Sequence, residues 1–231
     1  LPETVPYRRY VAQARLGVSQ AEHDAFFSEM LADVQEPTAP FDLLNVQGDG
    51  TDAEEAREPL DAELAQQVRR QAQRHGVSAA SLFHLALAVL LARTTGKNDV
   101  VFGTVLLGRM QSGKDAGRAL GMFINTLPLR IRLGAHSAEE CLRQTHKALT
   151  GLLHHEHASL SRAQRCSGLI GSAPLFSVLF NYRYTEALEG EVPAAWEGME
   201  VLGSRERSNY PVAISVDDEG KGFKIGAQVT A

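Results

Sequence analysis

Apolar residues recur along this chain with two different periods, and the switches between them mark its elements. Tyr7, Tyr10, Val11 and Ala14 stand at helical spacing and predict a short helix over residues 5–15. Ser19-Gln20-Ala21-Glu22 has the form of a capping box, in which the serine hydroxyl takes the N–H three residues on. It opens a helix carrying Phe26, Phe27, Met30 and Leu31, which Pro37 closes. Residues 35–60 show neither period. They hold Pro37, Pro40, Gly48, Gly50 and Pro59, with acidic residues gathered between Asp49 and Glu55, and they read as one long loop with a short strand at Phe41–Val46.

Asp61 to His75 reads as an amphipathic helix with Leu64, Val68 and Ala72 on one face and Gly76 past its end. Ser78 caps a second helix, Ala79 to Thr94, whose apolar residues run all the way round and predict burial on most sides. Gly96 to Asp99 is a turn. The strand Val100–Leu107 is apolar on both faces, as expected of a central strand. Gly108 to Gly121 is a glycine-rich loop. Met122 to Leu133 is a strand that Pro128 confines to an edge or a bulge. Ser137-Ala138-Glu139-Glu140 caps a helix running to about His155. Leu175–Tyr184 alternates as a strand, an irregular stretch with Trp196 follows, and Tyr210–Asp217 with Gly222–Val229 forms a hairpin. The fold class is α/β: a mixed sheet with helices packed on it.

Composition narrows the partners. The net charge is −5, from 23 basic and 28 acidic side chains, so the basic excess that binds nucleic-acid backbones is absent. The longest apolar run, Leu85–Ala92, falls far short of the ~18 residues of a membrane span. Two cysteines, Cys141 and Cys166, are too few for a disulfide scaffold and fit a reduced, cytoplasmic setting. At ~150 residues per domain, 231 residues make about one and a half domains. With no initiator Met and an abrupt end after Val229-Thr230-Ala231, the chain reads as a piece of something longer.

Few residues carry recognisable chemistry. His154-His155-Glu156-His157 lacks the i, i+4 histidine spacing of zincins, and a histidine cluster at a helix C-terminus interacting with the dipole is the preferred reading. Ser112-Gly113-Lys114-Asp115 resembles part of a phosphate-binding loop but lacks its leading glycine and its magnesium-binding hydroxyl, so nucleotide binding is rejected. His84, on the apolar helix, reads as a satisfied core histidine. Asn125, Thr126 and Asn181 interrupt apolar strands. Such groups either bond backbone or face a cavity.

Several ordered blocks resemble the condensation domains of nonribosomal peptide synthetases. They are Asp99-Val100-Val101-Phe102-Gly103-Thr104, then Gly108-Arg109, then Leu120-Gly121-Met122-Phe123-Ile124-Asn125-Thr126-Leu127-Pro128-Leu129-Arg130. His155-Glu156-His157-Ala158-Ser159-Leu160, Pro174–Asn181, Asn209-Tyr210-Pro211 and Pro6-Tyr7-Arg8-Arg9-Tyr10 continue the resemblance over essentially the whole chain. The family's catalytic His-His-x-x-x-Asp-Gly signature has no match: the one Asp-Gly, Asp49-Gly50, follows no histidine pair, and His154-His155 leads to no Asp-Gly.

The resemblance therefore implies the C-terminal lobe, residues 1–231, of a two-lobed domain whose N-terminal lobe is absent. Its implied fold is similar to chloramphenicol acetyltransferase. The implied reaction joins a donor acyl or peptidyl thioester to an acceptor aminoacyl thioester as an amide. Both are presented on the phosphopantetheine arms of carrier proteins, and this chain binds no cofactor or metal of its own. The partners implied are donor and acceptor carrier domains and the missing lobe. Asn125, Asn181 and Ser81 become tunnel-wall candidates, and Arg109 would brace the neighbouring loop. No catalytic residue is expected on this lobe, which should be inactive alone. The wording His-Glu-His-Ala-Ser-Leu is similar to the subtype that epimerises the donor before condensing it. The alternatives are a non-catalytic condensation-like domain that recruits a partner or carrier, and a standalone acyltransferase using coenzyme A esters.

Overall fold

A computed structural model describes residues 4–109, 118–171, 173–184, 198 and 206–230. Helices are α1 (Arg8–Leu16), α2 (Gln20–Leu31), α3 (Ala62–His75), α4 (Ala79–Thr95), α5 (Ala138–His154) and α6 (Leu160–Arg165). Strands are β1 (Ala53–Pro59), β2 (Asp99–Leu106), β3 (Asn125–Arg132), β4 (Val178–Tyr184), β5 (Val212–Asp218) and β6 (Phe223–Thr230). They form one sheet in the order β1-β6-β5-β4-β2-β3, with β4 parallel to both β2 and β5 and the other pairs antiparallel.

Local chemistry starts the helices where the sequence predicts. The hydroxyls of Ser19, Ser78 and Ser137 each accept the N–H three residues on, from Glu22, Ser81 and Glu140. Gly76 and Gly96 end α3 and α4 with φ of 64° and 71°, a left-handed geometry that costs a glycine little. The β5–β6 hairpin and the edge position of β3, which contains Pro128, also match expectation. Trp196 and the Ser112–Asp115 segment lie outside the described residues.

Three expectations need correction. Residues 35–60 are not one loop: strand β1 occupies their end, whereas the predicted strand at Phe41–Val46 is a 3-10 turn at Pro40–Asp42 followed by chain without regular structure. Residues Ala53 to Pro59 follow no apolar alternation, because this edge strand exposes nearly every side chain. The helix α4 is buried on most sides as expected, with Val89 and Leu90 on its open side at 42% and 53% exposed. On α3 the buried positions are Ala65 and Ala72, and Leu64 lies half-exposed at the rim.

The core lies between the helices and one face of the sheet. Phe102, Leu127, Leu129, Val178, Phe180, Val216 and Phe223 fill it, together with Phe27, Leu31, Leu87, Leu91 and Leu152 from the helices. Period-2 alternation turns the neighbours of these strand residues to the opposite face. There the residues are mixed: Gly103, Thr126, Asn181, Ser215, Gly226 and Gln228 are small or polar, and Val101 and Leu179 are apolar. Phe176 covers part of this second face above Gly103, where a Cβ would come within 2.4 Å of its ring. Tyr210 stacks on Phe176 with centroids 5.6 Å apart.

Candidate functional site

The second sheet face carries a cavity of about 500 Å³. Register builds its floor. Asn181 on β4 stands opposite Ser215 on β5, Ser215 opposite Gly226 on β6, and Gly226 opposite Arg57 on β1. Gly226 is small for a visible reason: a Cβ there would sit 2.6 Å from Ser215 Oγ and 3.7 Å from Arg57 Cγ. Thr126 extends the floor on the β3 side, and Tyr210 and Asn209 line the wall. Asn209 is held by its Nδ2, which donates to the Val46 carbonyl at 2.7 Å.

Arg57 and Arg183 near this floor are paired, and Arg207 is not among the ion pairs of the described residues. Arg57 Nε donates to Glu55 Oε1. Next along β4, Arg183 is bidentate to Asp217 at 2.6 and 3.1 Å and also donates to both oxygens of Glu206 at 2.7 Å. Arg207 is exposed at the rim, where its charge helps hold the Asp49 carboxyl below its ordinary range behind the larger effect of hydrogen bonds from Thr51.

The four sequence candidates separate. Asn181 lies on the cavity floor. Asn125 is half-buried at the start of β3 with its amide in use: Nδ2 donates to the carbonyls of Glu156 and Ala158 at 2.8 and 2.6 Å, and Oδ1 accepts the Thr126 N–H at 3.0 Å. Ser81 is fully buried under α5, its Oγ 3.0 Å from His146 Nδ1 and 2.9 Å from Ser78 Oγ. Arg109 stacks its guanidinium 3.9 Å above the ring of Phe123, which also packs against Tyr10 at 4.3 Å and Tyr7 at 5.3 Å. That stack fastens α1 to the approach to β3. Register thus brings Asn181 together with Ser215, Gly226 and Arg57, three positions that sequence reasoning missed. A signal existed in β5, where Ala213 and Ser215 alternate with Val212, Ile214 and Val216.

The histidine cluster is packing rather than a charged helix end. His155 is buried, stacks on Phe26 at 4.0 Å, and places its Nδ1 2.9 Å from His23 Nδ1. Burial, aided by the neighbouring His23, pushes His155 down to about 4. Burial also lowers His23 and His157. Neutral rings give a helix dipole no cation to interact with. Only the exposed His154 matches that expectation in position, and it pairs with Glu22 at 3.2 Å. His84 is the core histidine expected: Nδ1–H donates to the Ala80 carbonyl at 2.7 Å, which leaves Nε2 to accept the Thr104 hydroxyl at 2.8 Å. Cys141 and Cys166 form no disulfide.

The condensation-domain family model matches residues 1–229. The chain belongs to the condensation-domain family. Malpinin synthetase of Mortierella alpina, itself a far longer protein, is 51% identical over 223 residues, which are 96% of this chain and 3% of that protein. The solved condensation domain from the Monacolin K polyketide synthase MokA superposes with a TM-score of 0.70 at 23% identity, over 97% of this chain and 54% of that one. The X-domain from teicoplanin biosynthesis gives 0.71 at 21% identity, over 96% and 52%. These likenesses show the chloramphenicol acetyltransferase-like fold. The chain spans about half the length of the solved condensation-fold chains. In this condensation-family chain, no single helix among the described residues is long and apolar enough to cross a membrane.

Proposed function

We propose that this chain is the C-terminal lobe of a nonribosomal peptide synthetase condensation domain, and that the cavity face of its sheet is one wall of the tunnel in which an amide bond forms. The observation that carries this reading is the second sheet face. Small and polar residues stand in register across it beside Leu179 and Tyr210, and it stays open over about 500 Å³, space that a closed core would fill with apolar side chains. In this reading, donor and acceptor carrier proteins present thioesters on phosphopantetheine arms, and the arms are tethered substrates rather than cofactors. The acceptor amine attacks the donor thioester carbonyl, the C–S bond breaks, and the amine's proton ends on the departing thiolate, giving an amide and the free thiol of the donor arm. Bringing two tethered reactants together converts a bimolecular step into an effectively unimolecular one. This lobe contributes wall and carrier docking surface, and the missing N-terminal lobe contributes the catalytic histidines. The unpaired cysteines support a reducing, cytoplasmic setting.

The 231 residues contain no His-His-x-x-x-Asp-Gly, and the chain alone is therefore expected to be inactive. The test compares the isolated chain with the two-lobed domain, each incubated with loaded donor and acceptor carrier proteins, with the dipeptidyl carrier read by mass spectrometry. Product from the two-lobed domain alone is the expected result. Product from the isolated chain would overturn the division of labour between lobes. The alternative reading is a non-catalytic condensation-like domain that recruits a partner or carrier. Carrier binding without product by the two-lobed domain would select it.

A further inference from the structure

The cavity floor divides its polar groups into two kinds. Arg57 and Glu55 are paired with each other, and Asn125, although polar and nearby in sequence pattern, has its amide occupied by backbone. Asn181, Ser215 and Thr126 are different. Their side chains line the cavity and, among the described residues, have no hydrogen-bond partner. The row from Asn181 to Arg57 crosses four strands, about 14 Å at the usual strand spacing.

Three ligand chemistries meet this floor differently. A charged substituent would lose hydration on a floor whose own Arg57 is already paired with Glu55, leaving Arg207 as an exposed charge at the rim. An apolar substituent would meet Leu179 and Ala213 but would strip water from Asn181 and Ser215 and leave both unsatisfied. A neutral group that donates and accepts finds an amide and a hydroxyl side by side, each able to do both. We propose that Asn181 and Ser215 form a specificity-determining floor, which selects a tethered residue with a neutral hydrogen-bonding side chain, of carboxamide or hydroxyl type, over its apolar or charged counterparts. Gly226 is the positioning residue of that floor, because its missing Cβ is what leaves room for Ser215 Oγ. This inference rests on the tunnel-wall reading above.

The test uses the two-lobed domain and non-hydrolysable pantetheine amides carrying an Asn, a Leu or an Asp side chain, with bare pantetheine as the reference. Binding is measured by calorimetry, and amide formation with loaded carrier proteins is recorded in parallel. The Asn analogue is expected to bind roughly tenfold more tightly than the Leu and Asp analogues. The double variant Asn181→Leu/Ser215→Ala removes that preference. Gly226→Ala, which displaces only a side-chain hydroxyl, reduces it and leaves the folded-state circular dichroism unchanged. An unchanged preference in the double variant overturns the proposal, as does equal or absent binding of all analogues to the wild-type domain. So does a bare pantetheine that loses as much affinity as the Asn analogue, since the floor would then hold the arm. Selective binding without amide formation overturns the tunnel-wall reading and retains the floor; amide formation without selectivity does the reverse.

Discussion

Acid should weaken this fold through one buried imidazole, and the size of the effect follows from its surroundings. His84 is 3% exposed between α4 and β2, with its Nδ1–H committed to Ala80 and its Nε2 accepting from Thr104. Burial pushes its value from 6.5 down to about 4, against a smaller opposing effect of the Ala80 hydrogen bond. The folded imidazole therefore binds a proton less readily than the unfolded one. Stability is present at neutral pH and is lost as pH falls from about 6.5 toward 4. At pH 5 the unfolded side chain is almost wholly protonated and the folded one only about one-tenth so. The difference favours unfolding by about 2 kcal/mol. Urea unfolding at pH 8 and pH 5, on the wild type and on His84→Gln, isolates this contribution. The variant keeps a neutral hydrogen-bonding group and removes the titration. The His23–His155 pair weakens both proteins in acid and cancels in the comparison. The wild type should lose about 2 kcal/mol more than the variant over this interval. An identical loss in both would refute the reasoning.

Replacing Asn125 with Ala should cost about 2 kcal/mol, because two carbonyls and the Thr126 N–H lose their partner, and Asn125→Asp should be worse, since a carboxylate would face those carbonyls; thermal melts at pH 7 rank the two. Gly103→Ala should destabilise by roughly 1–3 kcal/mol by forcing the Phe176 ring off the sheet, and near-ultraviolet circular dichroism should report the change at Tyr210, which stacks on that ring. Arg130→Lys should lower the melting temperature even in high salt, because one ammonium replaces a 6%-exposed guanidinium that serves the Met30 carbonyl, Asp33 and Asp99 together.

Elements set by local chemistry were legible in the sequence. Serine caps start α2, α4 and α5, glycines end α3 and α4, and the β5–β6 hairpin closes on Asp218 to Lys221. The parallel pairing of β4 with β2 and β5 was not legible, because the partners are far apart in the chain and no short-range signal fixes their order. Helix α6 also escaped notice: six residues give too little periodicity, although Ser159 caps it like its longer counterparts. At the site, sequence placed Asn125 and Asn181 on the same footing, as polar interruptions of apolar strands. Tertiary contact separates them, since the carbonyls of Glu156 and Ala158 occupy one amide and leave the other facing the cavity. Ser215, Gly226 and Arg57 acquire meaning only through strand register.

The composition of β1 has a consequence for how this sheet behaves among other chains. A strand at a sheet edge offers unpaired backbone N–H and C=O groups to any passing strand, and long apolar edges nucleate aggregation. Here that edge is Ala-Glu-Glu-Ala-Arg-Glu-Pro, with six of its seven positions exposed. A strand adding alongside would have to desolvate three glutamates and meet a terminal proline that offers no N–H. At the opposite edge β3 interrupts its own donor row with Pro128 and carries Arg130 and Arg132 within an ion-paired cluster. The same polarity that conceals β1 from pattern recognition protects a six-stranded sheet from growing a seventh strand by accident.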